Sequence, residues 1–322
     1  GFVVQGSYLY WQAKEGGLEY IQALALSGSP SSEIFADTEL LEPNSKWESG
    51  FRVGAGYIFS ARSQWDLLLS WTSFHSKATQ TLASSDPTLT TEMLRPTWLP
   101  FLMGTGAIEG AVSWNLRYNI VNLALGRDFF IGKWLSFHPA AGISGGWITQ
   151  QYRANYQGFS ANNGLFSPIG STGYNANWGY RAVGIRLGTD AKWHITPQFS
   201  FAANGFISIL YGQYKLREIF QGDFIPPASF LIHDTIHLKE NYYRLRPALE
   251  TELGFCWQSF FNQDKRRFLL GAYYGFAYWF QQNIMVNEFV ILDQNFNSFV
   301  TNLPTLGDLQ LQGLRIEAAL DF

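Results

Sequence analysis

Residues 309–322 read LQLQGLRIEAALDF. From Leu314 onward every second residue is apolar: Leu314, Ile316, Ala318, Leu320 and Phe322. Between them stand Arg315, Glu317, Ala319 and Asp321. A period of two over this length is a β-strand with one apolar and one polar face. Strands of soluble sandwiches usually run about five or six residues, roughly half this length. The alternation therefore points away from an ordinary soluble sheet.

The composition allows the same choice. Of 322 residues, 47% are apolar and 17% aromatic, with 31 glycines and a net charge of −3. An aromatic, glycine-rich, charge-poor chain suits a soluble all-β protein or a transmembrane barrel with aromatic girdles. No apolar run approaches the roughly 18 residues that a spanning helix needs. The near-neutral charge gives no reason to expect nucleic acid. One cysteine, Cys256, excludes an internal disulfide framework. The chain starts at Gly1 without a charged-then-apolar leader, which predicts a mature protein whose signal peptide has been removed.

The terminal pattern recurs along the chain and decides the class. Phe51, Val53, Ala55, Tyr57 and Phe59 alternate with Arg52, Gly54 and Gly56. Trp65, Leu67, Leu69 and Trp71 oppose Asp66, Leu68, Ser70 and Thr72. Val183, Ile185, Leu187, Ala191 and Trp193 oppose Gly184, Arg186, Gly188, Asp190 and Lys192, with Arg181 an exception at the outer strand end. Tyr243, Leu245, Leu249 and Leu253 oppose Arg244, Arg246, Glu250 and Glu252, and Phe268–Phe280 repeats the scheme. In 114–128 the apolar set Trp114, Leu116, Tyr118 and Ile120 gives way to Val121, Leu123 and Leu125. That change of phase predicts a β-bulge at Ile120–Val121 and an inward Arg117.

Connections alternate strictly in length. Short links fall at 60–64, 129–133, 194–198 and 260–265; long ones fall near 15–46, 78–110, 157–176, 217–238 and 289–306. Outer-membrane barrels have tight periplasmic turns and long outer loops. The expectation is all-β: one closed antiparallel transmembrane barrel domain spanning 1–322. Ten strands are predicted, near 2–14, 47–59, 65–77, 111–128, 134–156, 177–193, 199–216, 239–258, 267–288 and 307–322. A hairpin hidden in either of the first two long links would make twelve. Both termini then lie at the periplasmic face. Phe322, on the lipid-facing phase, resembles the terminal aromatic that the barrel-assembly machinery reads.

GFVVQGSYLYWQAKEGGLEY (1–20), GFRVGAGYIF (50–59), WDLLLSWTSF (65–74) and WNLRYNIVNLALGRDFFIGKWLSFHPAAGI (114–143) resemble the Legionella-type major outer-membrane protein family. That family also occurs in chlamydia-like bacteria. The resemblance implies a pore-forming barrel of the bacterial outer membrane and carries over no catalytic residue. Founding members are described as cysteine-linked surface proteins, which a single Cys256 does not support.

The polar faces define the expected lumen lining. Its cations are Arg52, Arg117, Arg186, Lys192, Arg244, Arg246 and Arg315; its carboxylates are Asp66, Asp190, Glu250, Glu252, Glu317 and Asp321. Near balance predicts ion pairs that brace a narrow lumen, because ten strands lie close to the filled eight-stranded size. The function expected is a narrow pore for small solutes or ions. The alternatives are a structural or adhesive surface barrel and, behind both, a protease-like barrel enzyme. The enzyme reading rests on His233, Asp234 and His237 in an outer loop, but the second long loop offers only Asp86 and Glu92, not a close acidic pair. In a strand, His233 and His237 stand about 13 Å apart, too far to share a metal. No enzyme, metal or cofactor is therefore expected. The apolar stretches LRPTWLPFLMG (95–104) and FIPPASF (224–230) are expected to plug the mouth or pack together, or to meet another copy of the chain. Outer-membrane lipid and lipopolysaccharide complete the expected partners.

Overall fold

A strand with two unlike faces needs a different medium on each side and a hydrogen-bonding neighbour along each edge. The computed structural model describes residues 1–27, 35–59, 64–85, 92–98, 106–160, 171–224, 232–261, 266–292 and 298–322. In chain order, β1 (Phe2–Glu15) is followed by a hairpin of β2 (Ile21–Ser27) and β3 (Phe35–Leu41). Then come β4 (Trp47–Ile58), β5 (Trp65–Ala83), the short β6 (Glu92–Pro96), β7 (Gly106–Arg127) and β8 (Phe129–Ile131). The long strands β9 (Leu135–Ser160), β10 (Ser171–His194), β11 (Phe199–Phe224) and β12 (Ile232–Phe261) follow. The chain ends with β13 (Arg266–Asn283), a hairpin of β14 (Val286–Leu292) and β15 (Ser298–Pro304), and β16 (Gly307–Asp321).

Ten of these strands close a ring by antiparallel pairing, in the order β1, β4, β5, β7, β9, β10, β11, β12, β13, β16 and back to β1. Closure removes every edge within the lipid, where an unpaired peptide group would find no water. The first long link does contain a hairpin, but β2 and β3 stand outside the wall, so the number of staves stays ten. Several staves run further outward than the sequence pattern predicts: β7 begins at Gly106, β10 at Ser171 and β12 at Ile232.

These extensions account for the change of pattern within β7. There is no bulge at Ile120–Val121: pairing of β7 with β5 runs unbroken from Trp65↔Arg127 to Ala83↔Glu109. Trp114, Leu116, Tyr118 and Ile120 are buried inside the barrel, while Arg117 is exposed on the outer surface. The phase is constant and the polarity reverses. Along β9 the outward residues change from Ile143 and Trp147 to Thr149, Arg153 and Asn155. The inward residues change from Gly142 and Ser144 to Ile148, Tyr152 and Tyr156 over the same stretch. On β10, Val183 and Ile185 are 60% and 59% exposed, whereas Trp178 and Tyr180 are each 2% exposed. The lower strand segments meet lipid outside and need a polar interior only for what the lumen holds. The upper segments meet water outside and fold around an apolar core, as a soluble barrel does.

At the top of β13 the wall is interrupted. Gln281 adopts a left-handed backbone (φ 51°), which a non-glycine residue rarely does. The chain then turns inward, burying Gln282, Asn283, Ile284 and Met285. Asn283 donates to the Gly16 and Gly17 carbonyls at 2.9 and 3.3 Å, and the Val286 amide donates to Glu218 at 2.9 Å. From the second long link, Trp98 is also buried, stacked on Tyr174 at 4.7 Å. Residues 99–104 of that apolar stretch and 225–230 of the other lie outside the described residues.

A charged lumenal cavity beneath an aromatic septum

In the lower half, glycines on the inward face let long side chains cross the lumen. Gly275 faces Glu252 in the pairing of β12 with β13; a Cβ there would stand 3.0 Å from the Glu252 Cγ. Glu252 can therefore reach past β13 to β16, where Arg315 donates to it from Nε and Nη2 at 3.1 and 2.6 Å. Arg315 also holds Glu317 at 2.6 Å and lies over the Tyr273 ring at 4.1 Å. Arg52 donates to Glu252 across the lumen at 3.3 Å. Arg186 makes a two-pronged pair with Glu250, at 2.7 and 2.9 Å, and covers the Phe206 ring.

Nearer the periplasmic turns, His138 lies 2.6 Å from Asp66 and 3.5 Å from Asp190, joining β5, β9 and β10. Gly126 makes the room, since a Cβ at that position would come within 2.2 Å of the imidazole. Arg267 binds Asp321 at 2.7 Å. These groups line a cavity of about 550 Å³. Gln64, Asp128, Gln258 and Phe260, beside the short turns, mark its mouth at the periplasmic end.

Ten of the charged positions expected in the lumen line this cavity: Arg52, Asp66, Arg186, Asp190, Lys192, Glu250, Glu252, Arg315, Glu317 and Asp321. Three do not. Arg117 faces outward because its stretch of β7 lies above the polarity reversal. Arg244 keeps the inward phase, yet it is exposed and packs over the Tyr242 ring at 4.7 Å. It lies above Ala248↔Trp279, where β12 parts from β13 and the wall no longer encloses it. Arg246 is buried, but its partners are the Tyr214 hydroxyl and the Gln281 side chain, both at 3.1 Å, in place of an expected carboxylate. His138, His194, Asp128 and Arg267 line the cavity as well, outside the set expected from the sequence. The alternation of Ser136, His138, Ala140, Gly142 and Ser144 with Phe137, Pro139, Ala141 and Ile143 carries the signal for His138.

Above the cavity the interior becomes a packed layer of rings. Trp279 pairs in register with Ala248, one inward step above Glu250, and meets Tyr118 edge-on at 6.0 Å. Tyr180 and Tyr214 stack at 4.4 Å, and Trp11 packs on Phe74 at 5.7 Å. Trp114 and Trp178 are fully buried, with the Trp114 indole donating to Gln150 at 2.9 Å. Glu15 lies within this core above the membrane, beyond the stacked Tyr10 and Trp47 that end the lipid-facing belt on its wall. Burial pushes its carboxyl well above the ordinary range, and the neighbouring Gln150 amide offsets only part of that.

Among the described residues no group of three or more His, Cys, Asp or Glu side chains is arranged to hold a metal. The segment with His233 and His237 is strand, as β12, and His237 is exposed. The side chains of His233 and Asp234, and all of Asp86, lie outside the described residues.

A closed ten-stranded ring, lipid-facing apolar rows and alternating short and long links define a bacterial outer-membrane β-barrel. Over residues 1–322 the chain matches the family described as Legionella pneumophila major outer membrane protein precursor, and it belongs to that family. No curated protein sequence matches it. Among solved structures it is similar to the outer membrane protease OmpT from Escherichia coli, with 8% identity, 100% of this chain and 96% of that one covered, and a TM-score of 0.37. A Pseudomonas aeruginosa FadL homologue gives 8% identity, coverage of 100% and 90%, and a TM-score of 0.25. The CymD monoaromatic hydrocarbon channel gives 9%, coverage of 100% and 88%, and 0.24. Likenesses this distant carry no argument about activity.

Proposed function

We propose that this outer-membrane barrel is a narrow channel for small ions and solutes, held closed on its outer side by the aromatic septum. The observation that carries this reading is the charged cavity of about 550 Å³, open beside the periplasmic turns and stopped by packed rings. Its lining holds five Lys or Arg (Arg52, Arg186, Lys192, Arg267, Arg315) against seven Asp or Glu (Asp66, Asp128, Asp190, Glu250, Glu252, Glu317, Asp321). His138, held between Asp66 and Asp190, offsets part of that excess, and the slight surplus of carboxylates left favours cations mildly. The cross-lumen pairs leave water paths between them and no wide bore, consistent with the small radius of a ten-stranded wall. No catalytic role is assigned to the barrel.

The competing reading is a structural surface barrel without transport, favoured by the bracing of four staves through Glu252, Glu250 and their arginines. Single-channel recording in planar bilayers separates the two. Wild type should show small, infrequent, mildly cation-selective openings. Tyr118→Ala combined with Trp279→Ala should raise the open time or conductance several-fold. A folded double variant that stays silent in the bilayer would establish the structural reading instead.

A further inference from the structure

On one side of the barrel, the outer surface just above the lipid-facing belt is basic. Six exposed cations stand there on five successive staves: Arg117, Arg153, Arg181, Lys215, Arg217 and Lys239. Beneath them the belt ends in aromatic residues. Tyr211 and Tyr243 stack at 5.8 Å on β11 and β12, and Trp147 pairs in register with Arg181. Tyrosine and tryptophan settle at the level of lipid headgroups. Lys215 lies four residues beyond Tyr211, and Lys239 four residues beyond Tyr243. At about 3.3 Å per residue on a strand tilted by about 40°, that is roughly 10 Å above the rings. This is the depth of phosphates and sugars, not of open water.

The local pairing makes the charge hard to explain by folding alone. Arg217 and Lys239 are direct cross-strand partners, and Lys215 shares their outward face two residues from Arg217. Like charges placed directly opposite destabilise a sheet. On the outward faces of β9, β10, β11 and β12 above the belt, the described side chains include no Asp or Glu to relieve them. The neighbouring outward positions are Gln151, Asn175, Asn177, Gln213 and Asn241, all amides able to bond phosphate or sugar oxygens. The opposite wall differs. Across β1 and β16 the outward positions at this height carry Lys14 as the one cation, with Asp308 among them.

We infer that Lys215, Arg217 and Lys239 form a binding site for the phosphate of an outer-leaflet glycolipid of lipid A type, with its acyl chains against Tyr211, Tyr243 and Leu245. Arg181 and Arg153 extend the same surface to further phosphates. The site orients one wall of the barrel toward phosphorylated lipid and leaves the wall bearing Lys14 to neutral contacts.

The test titrates the full-length barrel in detergent with bisphosphorylated lipid A, dephosphorylated lipid A and inorganic pyrophosphate, and counts adducts by native mass spectrometry. Wild type should retain bisphosphorylated lipid A, and Lys215→Gln/Arg217→Gln/Lys239→Gln should weaken this at least about tenfold, as expected for three cations at an anionic headgroup. Lys14→Gln should bind as wild type does. Dephosphorylated lipid should bind wild type as weakly as it binds the triple variant. Equal binding by the triple variant, or equal binding of both lipids, would overturn the inference. Pyrophosphate binding that displaces the lipid would assign the site to a soluble anion instead. The single variant Arg217→Gln guards against misfolding: it should raise thermal stability in lipid-free detergent while still weakening lipid A binding.

Discussion

On β10, the segment Val183–Trp193 and the segment Ser171–Tyr180 have the same backbone and the same inward–outward phase, yet opposite chemistry. The lower one turns Val183, Ile185 and Leu187 outward and Arg186, Asp190 and Lys192 inward. The upper one turns Asn175 and Asn177 outward and Trp178 and Tyr180 inward. A single stave thus serves two solvents, and the boundary lies at Arg181. The difference shows that a strand's alternation reports its two faces, while the medium outside decides which face is apolar. It also divides the labour of the interior: ion pairs brace the membrane half and aromatic packing seals the half above it.

The largest effect should follow from breaking the bracing below. Glu252→Ala leaves Arg315 and Arg52 without their shared carboxylate in a confined lumen, which should cost about 3–5 kcal/mol. Heat-modified gel mobility reads this as a lower unfolding temperature, and Arg315→Met added to Glu252→Leu should recover part of the loss.

Lysine placed on each segment in turn separates their surroundings. Ile185→Lys places a charge on the lipid-facing row and should destabilise by about 2–4 kcal/mol. Asn177→Lys, eight residues above Ile185 on the same outward face, should cost at most about 1 kcal/mol, from repulsion by Arg217 directly opposite it. Refolding titrations in urea check both; equal costs would mean that lipid reaches the upper segment.

A smaller effect concerns Glu15 in the upper core. Its carboxyl keeps the proton in the folded barrel at pH values where the unfolded chain, near 4.5, has released it. The folded state binds more protons in that window, so stability is fullest below it and falls as pH rises through it. Glu15→Gln should therefore be more stable than wild type at pH 8, with the gap closing toward pH 4. Thermal scans across that range measure it.

The smallest change in stability should be that of Phe322→Ala. Phe322 is 51% exposed on the lipid-facing phase, with Arg266 over its ring at 5.9 Å. Refolding into micelles and thermal stability there should be nearly unchanged, and a loss above about 1 kcal/mol would mean that the ring packs against more than lipid.

The lower halves of β4, β5, β10, β12, β13 and β16 were legible in the sequence because each pits a continuous apolar row against small or charged residues. Ten staves, their order and most of the cavity lining follow from that contrast. Arg117 was misplaced because Trp114, Leu116, Tyr118 and Ile120 have the composition of a lipid-facing row while filling the core. Nothing in one strand distinguishes these two apolar environments. The partners of Glu250 and Glu252 were only partly readable: both pairs skip a stave, Arg186 reaching past β11 and Arg315 past β13. Such reach depends on side-chain length and on gaps such as Gly275, not on register alone. His138 bridges β5 and β10 for the same reason, through the space left by Gly126.

The reversal of polarity is tested most directly by spin labels placed singly at outward positions 175, 177, 179, 181, 183, 185 and 187 of β10 in reconstituted membranes. Accessibility to oxygen reports lipid, and accessibility to a water-soluble nickel chelate reports solvent. Relaxation should be oxygen-dominated at 183–187 and nickel-dominated at 175–179, with the change at Arg181. Oxygen dominance continuing up to 175 would place the upper segment in lipid and contradict the reversal.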